Sequence, residues 1–333
     1  MVGTKGILLI NLGTPDDPSV ASVRRYLKEF LSDPLVLTLP FLPRYLLLYL
    51  FILPFRPARS AKYYRAVWTK NGSPLLHYSQ SFTEKLQAHL GNSYTVRLGM
   101  RYGKPSISDA LKALQHCDSL TILPLFPQYA SATTGSAIAL TLNLLNSYPT
   151  FPKQIHIIRE FYMHPAFIDA QSIQIEPFIS SHDFLLFSYH GIPTKQNSCS
   201  HNIKQTCLEN CPAITSTNAN CYRAQCFATS TAIANKLGLT TGQYATAFQS
   251  RLGKLEWIKP YLEEYLEELY NCGVRRLAIA CPSFVADCLE TLEEIGMRTK
   301  THWQSLGGEQ LTLIPALNDA EHWINRIPEI FVL

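Results

Sequence analysis

The sequence predicts a doubly wound α/β protein with two Rossmann-like halves, each built around a four-stranded parallel sheet. Short β-branched or apolar runs alternate with longer helical patterns along all 333 residues, which is the order of elements in parallel α/β sheets. The runs divide four and four, and the second set weakly resembles the first. The expected strands are residues 6–12, 95–99, 119–125, 155–160, 184–189, 244–249, 275–280 and 310–315.

The internal resemblance places the boundary between the halves near residue 150. Leu8-Leu-Ile-Asn-Leu-Gly-Thr-Pro15 is similar to Leu185-Leu-Phe-Ser-Tyr-His-Gly-Ile-Pro193, and Ile122-Leu-Pro-Leu-Phe-Pro127 is similar to Ala278-Ile-Ala-Cys-Pro282. We therefore expect two domains that face each other across a cleft, with the last helix packing back on the first half. The expected domains are residues 1–150 and 151–333.

The composition excludes several classes of protein. Hydrophobic residues make up 47% of the chain, which is ample material for cores and is not typical of a disordered protein. The net charge is only +4, and no cluster of lysines and arginines marks a phosphate-binding track. We therefore expect no nucleic acid as a partner. Charged residues make up only 16%, so part of the surface is expected to be apolar.

The start of the chain indicates synthesis and residence in the cytoplasm. A strand-like run, Gly6–Ile10, begins almost at once, and no signal or transit peptide is expected before it. In a reducing compartment the nine cysteines are expected to be thiols or metal ligands rather than disulfides.

Residues 35–55 form the most apolar segment of the sequence. Its unbroken apolar run, Tyr45–Leu53, is nine residues long, whereas a helix needs about 20 residues to span a bilayer. Two interpretations remain open. The segment is either a buried helix or an exposed apolar lip that touches a bilayer or admits an apolar ligand.

Polar residues directly after the strands are the first candidates for a site, because ligands of such sheets bind beyond the carboxyl ends of the strands. The dinucleotide fingerprint Gly-x-Gly-x-x-Gly follows none of them, and Gly13 stands alone, which disfavours a nucleotide-dependent enzyme. His190 ends a hydrophobic strand, where a neutral imidazole can bind a metal or accept a proton. The alternative for this residue is a structural hydrogen bond.

Asp287, Glu290 and Glu294 form a second group of candidates. Their spacing of i, i+3 and i+7 puts three carboxylates on one face of a helix. Oxygen ligands of this kind suit a path for a hard cation such as Fe(II). An ordinary solvated helix face has the same pattern.

Two further segments have both a functional and a structural interpretation. Trp257 and Arg251 offer a ring-stacking face and a partner for a carboxylate, or else helix packing and a surface charge. Residues Pro127–Ser136 open a helix with hydroxyl groups, which suits anion binding and plain capping equally well.

Taken together, these segments resemble the ferrochelatases of bacterial type. The resemblance rests on Phe187-Ser-Tyr-His-Gly-Ile-Pro193, on Phe248-Gln-Ser-Arg251 with Trp257, and on Asp287-Cys-Leu-Glu-Thr-Leu-Glu-Glu294. It runs from about residue 5 to 320. Further matching motifs, in the expected order, are Asn11-Leu-Gly-Thr-Pro15, Asn71-Gly-Ser-Pro74, Met100-Arg-Tyr-Gly103, Pro127-Gln-Tyr129, Thr133-Thr-Gly-Ser136 and Pro315-Ala-Leu-Asn318.

The resemblance implies an enzyme that inserts its substrate Fe(II) into protoporphyrin IX or coproporphyrin to form haem, without an organic cofactor. His190 and Glu290 match the two iron-associated positions of the family and are the expected catalytic pair. Residues 41–55 correspond to the lip through which the porphyrin arrives, and they are candidates for peripheral contact with the inner face of the membrane. The matching substrate-binding positions are Arg101, Tyr102, Trp257, Asp287 and Glu294.

Insertion requires two pyrrole N–H protons to leave while Fe(II) loses water, so such an enzyme is expected to hold the ring distorted. His190 would accept pyrrole protons or bind iron, with Glu290 as its partner. One alternative is a chelatase for another metal or tetrapyrrole on the same fold. The other is a porphyrin carrier without turnover.

The segment Thr194–Cys221 is an apparent insertion rich in cysteine. Such a polar loop buries little apolar surface and needs a cross-link to be ordered. Four thiolates suit an iron–sulfur cluster or structural zinc, and some ferrochelatases carry a [2Fe-2S] cluster. We expect [2Fe-2S], with zinc and free thiols as the alternatives, and treat Cys226 as separate. The candidate ligands are Cys199, Cys207, Cys211 and Cys221.

Overall fold

A computed structural model describes residues 4–148, 152, 154–197, 211, 213–251, 253 and 255–331. The chain divides into two compact units, each with its own four-stranded sheet. The first unit contains the described residues up to Phe126 and those from Ser131 to Glu160. The second contains Pro127–Ala130 and the described residues from Phe161 onward. The assignment of separate roles to two domains stays a prediction.

The sheet of the first unit is parallel, with the strand order β2-β1-β3-β4. Residues Ile7–Ile10 of the interior strand β1 are fully buried. Apolar side chains on both faces of a strand are typical of a sheet that helices cover on both sides. The strands are β1 Lys5–Gly13, β2 Tyr94–Tyr102, β3 Ser119–Pro124 and β4 Gln154–Ile157.

Helices connect these strands, and serine residues mark where two of them begin. Ser19 accepts a hydrogen bond from the Ser22 N–H, and Ser106 accepts one from the Asp109 N–H, as N-cap residues do. The helices are α1 Val20–Ser32, α2 Phe41–Leu46, α3 Leu53–Val67, α4 Pro74–Leu90, α5 Ile107–Leu114 and α6 Ser136–Leu145. Leu47–Ile52 and Ser131–Gly135 are π-helical, and Gly91–Ser93 is a 3₁₀ turn.

The stretch from α2 into α3 presents apolar side chains to solvent. Phe41, Phe51 and Phe55 are 72%, 64% and 74% exposed, whereas Leu48 and Leu53 are buried. The buried-helix interpretation is therefore wrong for this face. The exposed set, called the apolar surface below, is Leu39, Phe41, Leu42, Tyr45, Leu46, Leu50, Phe51 and Phe55. No helix in the described part of the chain is both long and apolar enough to cross a membrane.

The second unit repeats the strand order of the first. Its parallel sheet runs β6-β5-β7-β8, so β5 takes the place of β1 and β7 the place of β3. These are the strand pairs whose sequences resemble each other. The strands are β5 Phe184–His190, β6 Tyr244–Gln249, β7 Arg276–Ala280 and β8 Gln310–Leu313. All eight predicted strands and the predicted fold class are confirmed.

The core of the second unit lies between its sheet and the helices that cover it. Leu186 of β5 and Ile279 of β7 pack with Leu266, Ile295 and Trp303. The helices are α7 Pro165–Ile179, α8 Tyr222–Lys236, α9 Leu262–Asn271, α10 Lys300–Ser305, α11 Glu321–Ile324 and α12 Pro328–Phe331. Thr194–Gln196 is a 3₁₀ turn, and the π-helical segment Glu290–Thr299 continues directly into α10.

Candidate active site

The strand order of the second unit creates a natural binding position beside His190. The chain moves from β5 to β6 on one side, and then crosses to β7 on the other side of β5. Ligands of open α/β sheets bind at such a reversal, beyond the carboxyl ends of the strands. His190 is the last residue of β5, and Glu290 follows β7 after a short loop. The topology alone therefore brings these two segments to the same edge of one sheet.

Three hydrogen bonds hold His190 in place. Its backbone N–H faces the Ser283 hydroxyl at 3.5 Å, and its carbonyl accepts from the Tyr222 hydroxyl at 2.9 Å. Its Nδ1 lies 2.6 Å from the Gly191 carbonyl oxygen, which can only accept, so Nδ1 carries the proton in the neutral ring. Nε2 is then left with its lone pair, which is the form that accepts a proton or binds a metal.

Aromatic rings flank the His190 imidazole. The ring of Trp257 lies 6.4 Å from it and that of Phe284 lies 6.5 Å away, measured between centroids. A bridge between Pro193 and Trp257 brings the tryptophan to this position. A Cβ at Gly191 would approach the Trp257 ring to 3.2 Å and the Gln249 carbonyl to 2.9 Å, so glycine is required for the close approach.

Asp287 does not belong to the helical carboxylate face that the sequence predicted. Helical structure begins only at Leu289, so the i, i+3 and i+7 geometry does not form. The Asp287 side chain is buried instead, where it accepts hydrogen bonds from the Thr291 hydroxyl at 2.9 Å and the Asn318 amide at 2.8 Å. Burial raises its pKa, and these neutral donors oppose that shift only in part.

Glu294 lies within the π-helical segment, and its carboxylate is held by two residues at the end of β6. The Ser250 N–H donates to one oxygen at 2.8 Å, and the Ser250 hydroxyl donates to the other at 2.6 Å. The Gln249 amide adds a bond of 3.3 Å. Ser250 adopts a left-handed backbone with φ of 67°, which aims both of its donors at the same carboxylate.

The neighbouring glutamates differ from Glu294. Glu293 is buried and forms an ion pair with Arg298 at 2.8 Å. Glu290 begins the π-helical segment and is half-buried, and among the described residues it forms no ion pair. The pKa of the neighbouring Cys288 thiol is raised, mainly by burial and further by the charge of Glu290 and a hydrogen bond to Glu290. This thiol therefore stays neutral beside the carboxylate.

In the first unit, Arg101 and Tyr102 end β2 and bind a buried carboxylate. Asp33 accepts from Arg101 at 2.5 Å, from the Ser136 hydroxyl at 2.5 Å and from the Tyr102 hydroxyl at 2.8 Å. Burial raises the Asp33 pKa, but these hydrogen bonds, one from the Leu35 N–H and the charge of Arg101 together hold it below its usual value. Burial also raises the Tyr102 pKa. Tyr102 is fully buried, so it supports the network from within.

In the second unit the structure thus places His190 beside Trp257, and it connects Glu290 and Glu294 to Gln249, the residue paired with His190 in the sheet. Arg101 and Tyr102 lie together in the first unit. The residues that sequence reasoning missed as site residues are Gln249, Ser250 and Asp33. Gln249 ends β6 and Ser250 follows it directly, within the motif Phe248-Gln-Ser-Arg251. Arg251 itself is exposed and lies 3.5 Å from Glu264, as expected of a surface charge.

Only part of the predicted cysteine cluster is within the described residues. Cys199 and Cys207 lie outside them, while Cys221 is buried and its Sγ lies 3.5 Å from the Asn197 amide nitrogen. Within the described ranges, no group of three or more histidine, cysteine, aspartate or glutamate residues is arranged to hold a metal ion.

Comparison with known proteins identifies a single family. Residues 4–332 match the model of the ferrochelatase family. The chain is 52% identical over 329 residues to the ferrochelatase of Legionella pneumophila strain Lens, with 98% of each chain covered. It is 50% identical over 336 residues to the ferrochelatase of Coxiella burnetii, with 98% of this chain and 92% of the relative covered.

Solved chelatase structures share the fold. SirB from Bacillus subtilis with Fe3+ superimposes with a TM-score of 0.57 at 11% identity, covering 98% of this chain and 95% of SirB. The sirohydrochlorin chelatase SirB from Bacillus subtilis subspecies spizizenii in complex with cobalt gives 0.54 at 10% identity, with the same coverage. At this low identity the likeness concerns the fold alone.

Proposed function

Because this chain belongs to the ferrochelatase family, whose members insert ferrous iron into a porphyrin to make haem, we propose that His190 and Glu290 perform the proton and metal transfers of that reaction. One observation carries the proposal. The Gly191 carbonyl fixes the proton of His190 on Nδ1, which leaves the Nε2 lone pair available at the strand-order reversal.

In the proposed mechanism Fe(II) replaces two pyrrole protons. His190 Nε2 accepts a proton from one pyrrole N–H, and the Glu290 carboxylate accepts the other. If Glu290 instead passes the metal ion on as it loses water, His190 accepts both protons in turn and releases the first to solvent before it takes the second. Each pyrrole nitrogen keeps the electron pair of its N–H bond and donates it to iron, so charge is balanced. Trp257 offers an aromatic face beside the imidazole, against which a porphyrin ring can be held and distorted.

The remaining predicted substrate residues divide by what their side chains already bind. The Asp287 carboxylate accepts from neutral donors, and the Glu294 carboxylate accepts from Ser250 and lies 3.9 Å from the Arg298 guanidinium. Tyr102 is fully buried, so we assign all three positioning roles. Arg101 keeps partial exposure while bound to Asp33, and it remains the proposed contact for an acidic group of the porphyrin.

The first test measures metal insertion directly. Under anaerobic conditions, porphyrin fluorescence should fall when Fe(II) is added to the wild-type protein. His190→Ala should lower turnover by about 100-fold or more, since loss of an essential proton acceptor has an effect of this size. Porphyrin binding, followed by the shift of the absorption band, should persist. Turnover above about a tenth of wild type would contradict the role of His190.

The same assay separates the alternative activities. Protoporphyrin and coproporphyrin are compared as substrates, and Co(II) is compared with Fe(II). A protein that prefers cobalt would be a chelatase for a different product. A protein that binds porphyrin tightly without any turnover would be a carrier.

Glu290 is tested against a neighbouring glutamate. Glu290→Gln should lower turnover by about 100-fold, while Glu293→Gln should leave turnover within about twofold. Because Glu293 is buried and paired with Arg298, its substitution should lower stability instead, so urea unfolding is measured for both variants. Equal losses of turnover would mean that Glu290 has no special role.

We further propose that Cys199, Cys207, Cys211 and Cys221 hold a [2Fe-2S] cluster, which supplies one-electron redox chemistry and a cross-link for the loop when bound. The neighbourhood of Cys221 fits such a group. Arg223 is 4% exposed, forms no ion pair among the described residues, and its Nη1 has no hydrogen-bond partner. Its Nε donates to the Lys259 carbonyl at 2.8 Å, and its backbone N–H donates at 3.4 Å to Oδ1 of Asn197, the residue that contacts Cys221. A buried cation calls for an anion, and a cluster with four thiolates is anionic.

Anaerobic purification tests the cluster. The wild-type protein should show visible [2Fe-2S] absorption with about two irons and about two sulfides per chain, and Cys207→Ser should lose all three signals. Cys272→Ser, at an exposed cysteine outside the segment, should keep them. A colourless, active protein that contains zinc would overturn the cluster and leave the ferrochelatase assignment intact.

Finally, we propose that the apolar surface of the α2–α3 stretch makes peripheral contact with the cytoplasmic face of a membrane and receives the porphyrin there. Its aromatic side chains are exposed, and Arg44 and Arg56 lie within the same stretch, which suits an anionic headgroup. In sedimentation with anionic vesicles, the double variant Phe51→Ser and Phe55→Ser should lose binding. Ile173→Ser, which alters an exposed apolar residue of α7, should not.

A further inference from the structure

Gln249 connects the two segments that carry His190 and Glu290. It is the last residue of β6 and lies opposite His190 in the register of β5 and β6. Its backbone oxygen accepts from the Gly191 N–H at 2.9 Å. Its side-chain amide nitrogen donates to the backbone oxygen of Glu290 at 2.9 Å and to Glu294 Oε2 at 3.3 Å. This one buried residue therefore touches both segments.

All of the hydrogen-bonding capacity of this amide is used. Its oxygen accepts from the Ser188 hydroxyl at 2.7 Å and from Cys281 Sγ at 3.8 Å, while its nitrogen faces two acceptors. An amide with donors at one end and acceptors at the other has a single orientation, because a flip would set like groups against each other. The contact is consequently rigid.

The bond from the Gln249 amide to the Glu290 carbonyl lies where it can affect the reaction. Glu290 is the first residue of the π-helical segment, so a bond to its carbonyl fixes the place where that segment begins. The start of a helix determines the direction in which its first side chain points. Since misplacement of a reacting group by about 1 Å can cost about 100-fold in rate, this direction matters.

We propose that Gln249 is a positioning residue that holds Glu290 in the orientation required for metal insertion opposite His190. The inference rests on the proposed function, because it takes these two residues as the reacting groups. Gln249 itself does not touch the substrate in this proposal. It acts through the backbone of Glu290.

The test uses Gln249→Met, which keeps the length of the side chain and removes both of its donor bonds. We expect kcat to fall by about tenfold or more, while KM for the porphyrin stays within about twofold. Hydrogen exchange of the full chain should become faster at Glu290–Thr299, because the segment loses its anchor, and should stay unchanged in α9.

A matched control separates positioning from general destabilisation. Gln225 in the same unit is fully buried, and its amide donates to the Ala219 carbonyl at 2.7 Å and accepts from the Tyr129 N–H at 2.7 Å. Gln225→Met should lower the unfolding midpoint by a similar amount. It should leave kcat within about twofold and exchange at Glu290–Thr299 unchanged.

The outcomes decide between the possible roles. If Gln249→Met speeds exchange at Glu290–Thr299 but leaves kcat unchanged, Gln249 is purely structural and the proposal is overturned. Unchanged exchange in this variant would also overturn it, because Gln249 would then not anchor the segment. An equal loss of kcat in Gln225→Met would do the same. If His190→Ala and Glu290→Gln both kept full turnover, the proposed function itself would fail. That outcome is read from turnover alone, so it is distinct from the exchange measured in Gln249→Met.

Discussion

Asp33 in the first unit and Asp287 in the second are both buried, yet their pKa values move in opposite directions. Asp33 accepts hydrogen bonds from the Ser136 hydroxyl, the Leu35 N–H and the Tyr102 hydroxyl, and the charge of the Arg101 guanidinium adds to them, so that together they outweigh burial and lower its pKa. Asp287 receives only neutral donors, so burial prevails and its pKa rises. Burial alone therefore does not fix the charge of a carboxylate. The donors that other segments bring to it decide the result.

The largest expected effect comes from removing the cation of this comparison. Arg101→Met leaves the Asp33 carboxylate buried without its charge partner, and the free energy of unfolding should fall by about 3 kcal/mol, since breaking buried ion pairs has effects of that order. Urea unfolding measures the change. The double variant with Asp33→Asn should recover part of the loss.

An exposed ion pair supplies the control for Arg101. Arg25 and Asp16 lie 3.2 Å apart with side chains 64% and 54% exposed, so Arg25→Met should change stability by less than about 1 kcal/mol. A loss as large as that of Arg101→Met would mean that the buried pair contributes nothing special.

A smaller effect is expected at the carboxylate held by Ser250. Ser250→Ala removes a hydrogen bond to a charged group, which should lower the free energy of unfolding by about 1.5–3 kcal/mol. Ser250→Gly removes the same bond but relieves the left-handed backbone, so it should be more stable than the alanine variant by about 1 kcal/mol. Thermal unfolding of both variants measures the difference, and an alanine variant as stable as wild type would contradict it.

The smallest expected effect is the change with pH in what the two aspartates contribute to the free energy of unfolding. It is on the order of 1 kcal/mol, since a tenfold change in proton affinity corresponds to about 1.4 kcal/mol. The folded pKa of Asp33 is lowered, so its contribution is present above the unfolded pKa near 3.8 and is lost as the pH falls through the folded value. The folded pKa of Asp287 is raised, so its contribution is present below 3.8 and is lost as the pH rises through the folded value.

Two variants read these contributions from stability measured between pH 3 and pH 7. The destabilisation caused by Asp33→Asn should shrink towards low pH, whereas that caused by Asp287→Asn should shrink towards neutral pH. Parallel curves for the two variants would show that the two carboxylates do not differ in charge.

The strands were predictable because their sequences carry the signal locally. Residues Ile7–Ile10 are apolar on both faces of the strand, and such a continuous apolar run is typical of a parallel strand that is buried on both sides. His190 and Trp257 were found because strand ends and long motifs mark them. The assignment of roles to these residues stays a prediction, as do the cluster and the membrane contact.

The rest of the site depends on contacts that the local sequence does not record. Asp287 looked like a helix residue, but Thr291 and Asn318 hold it in the preceding loop, and the second of these lies 31 residues away. The role of Gln249 depends on a carbonyl 41 residues away. Nor does the spacing of apolar residues distinguish a π-helical segment from an α-helix in so short a stretch.

Pro127–Ala130 has a consequence for the synthesis of the chain on the ribosome. These residues belong to the second unit, where the Gln128 amide donates to Thr229 at 3.0 Å and the Pro127 carbonyl accepts from the Phe161 N–H at 3.0 Å. Gln128 is made 101 residues before Thr229. At about 5–20 residues per second, it waits roughly 5–20 seconds for its partner. If the chain were cut after Glu160, the second unit would lose Pro127–Ala130, four residues that pack within it.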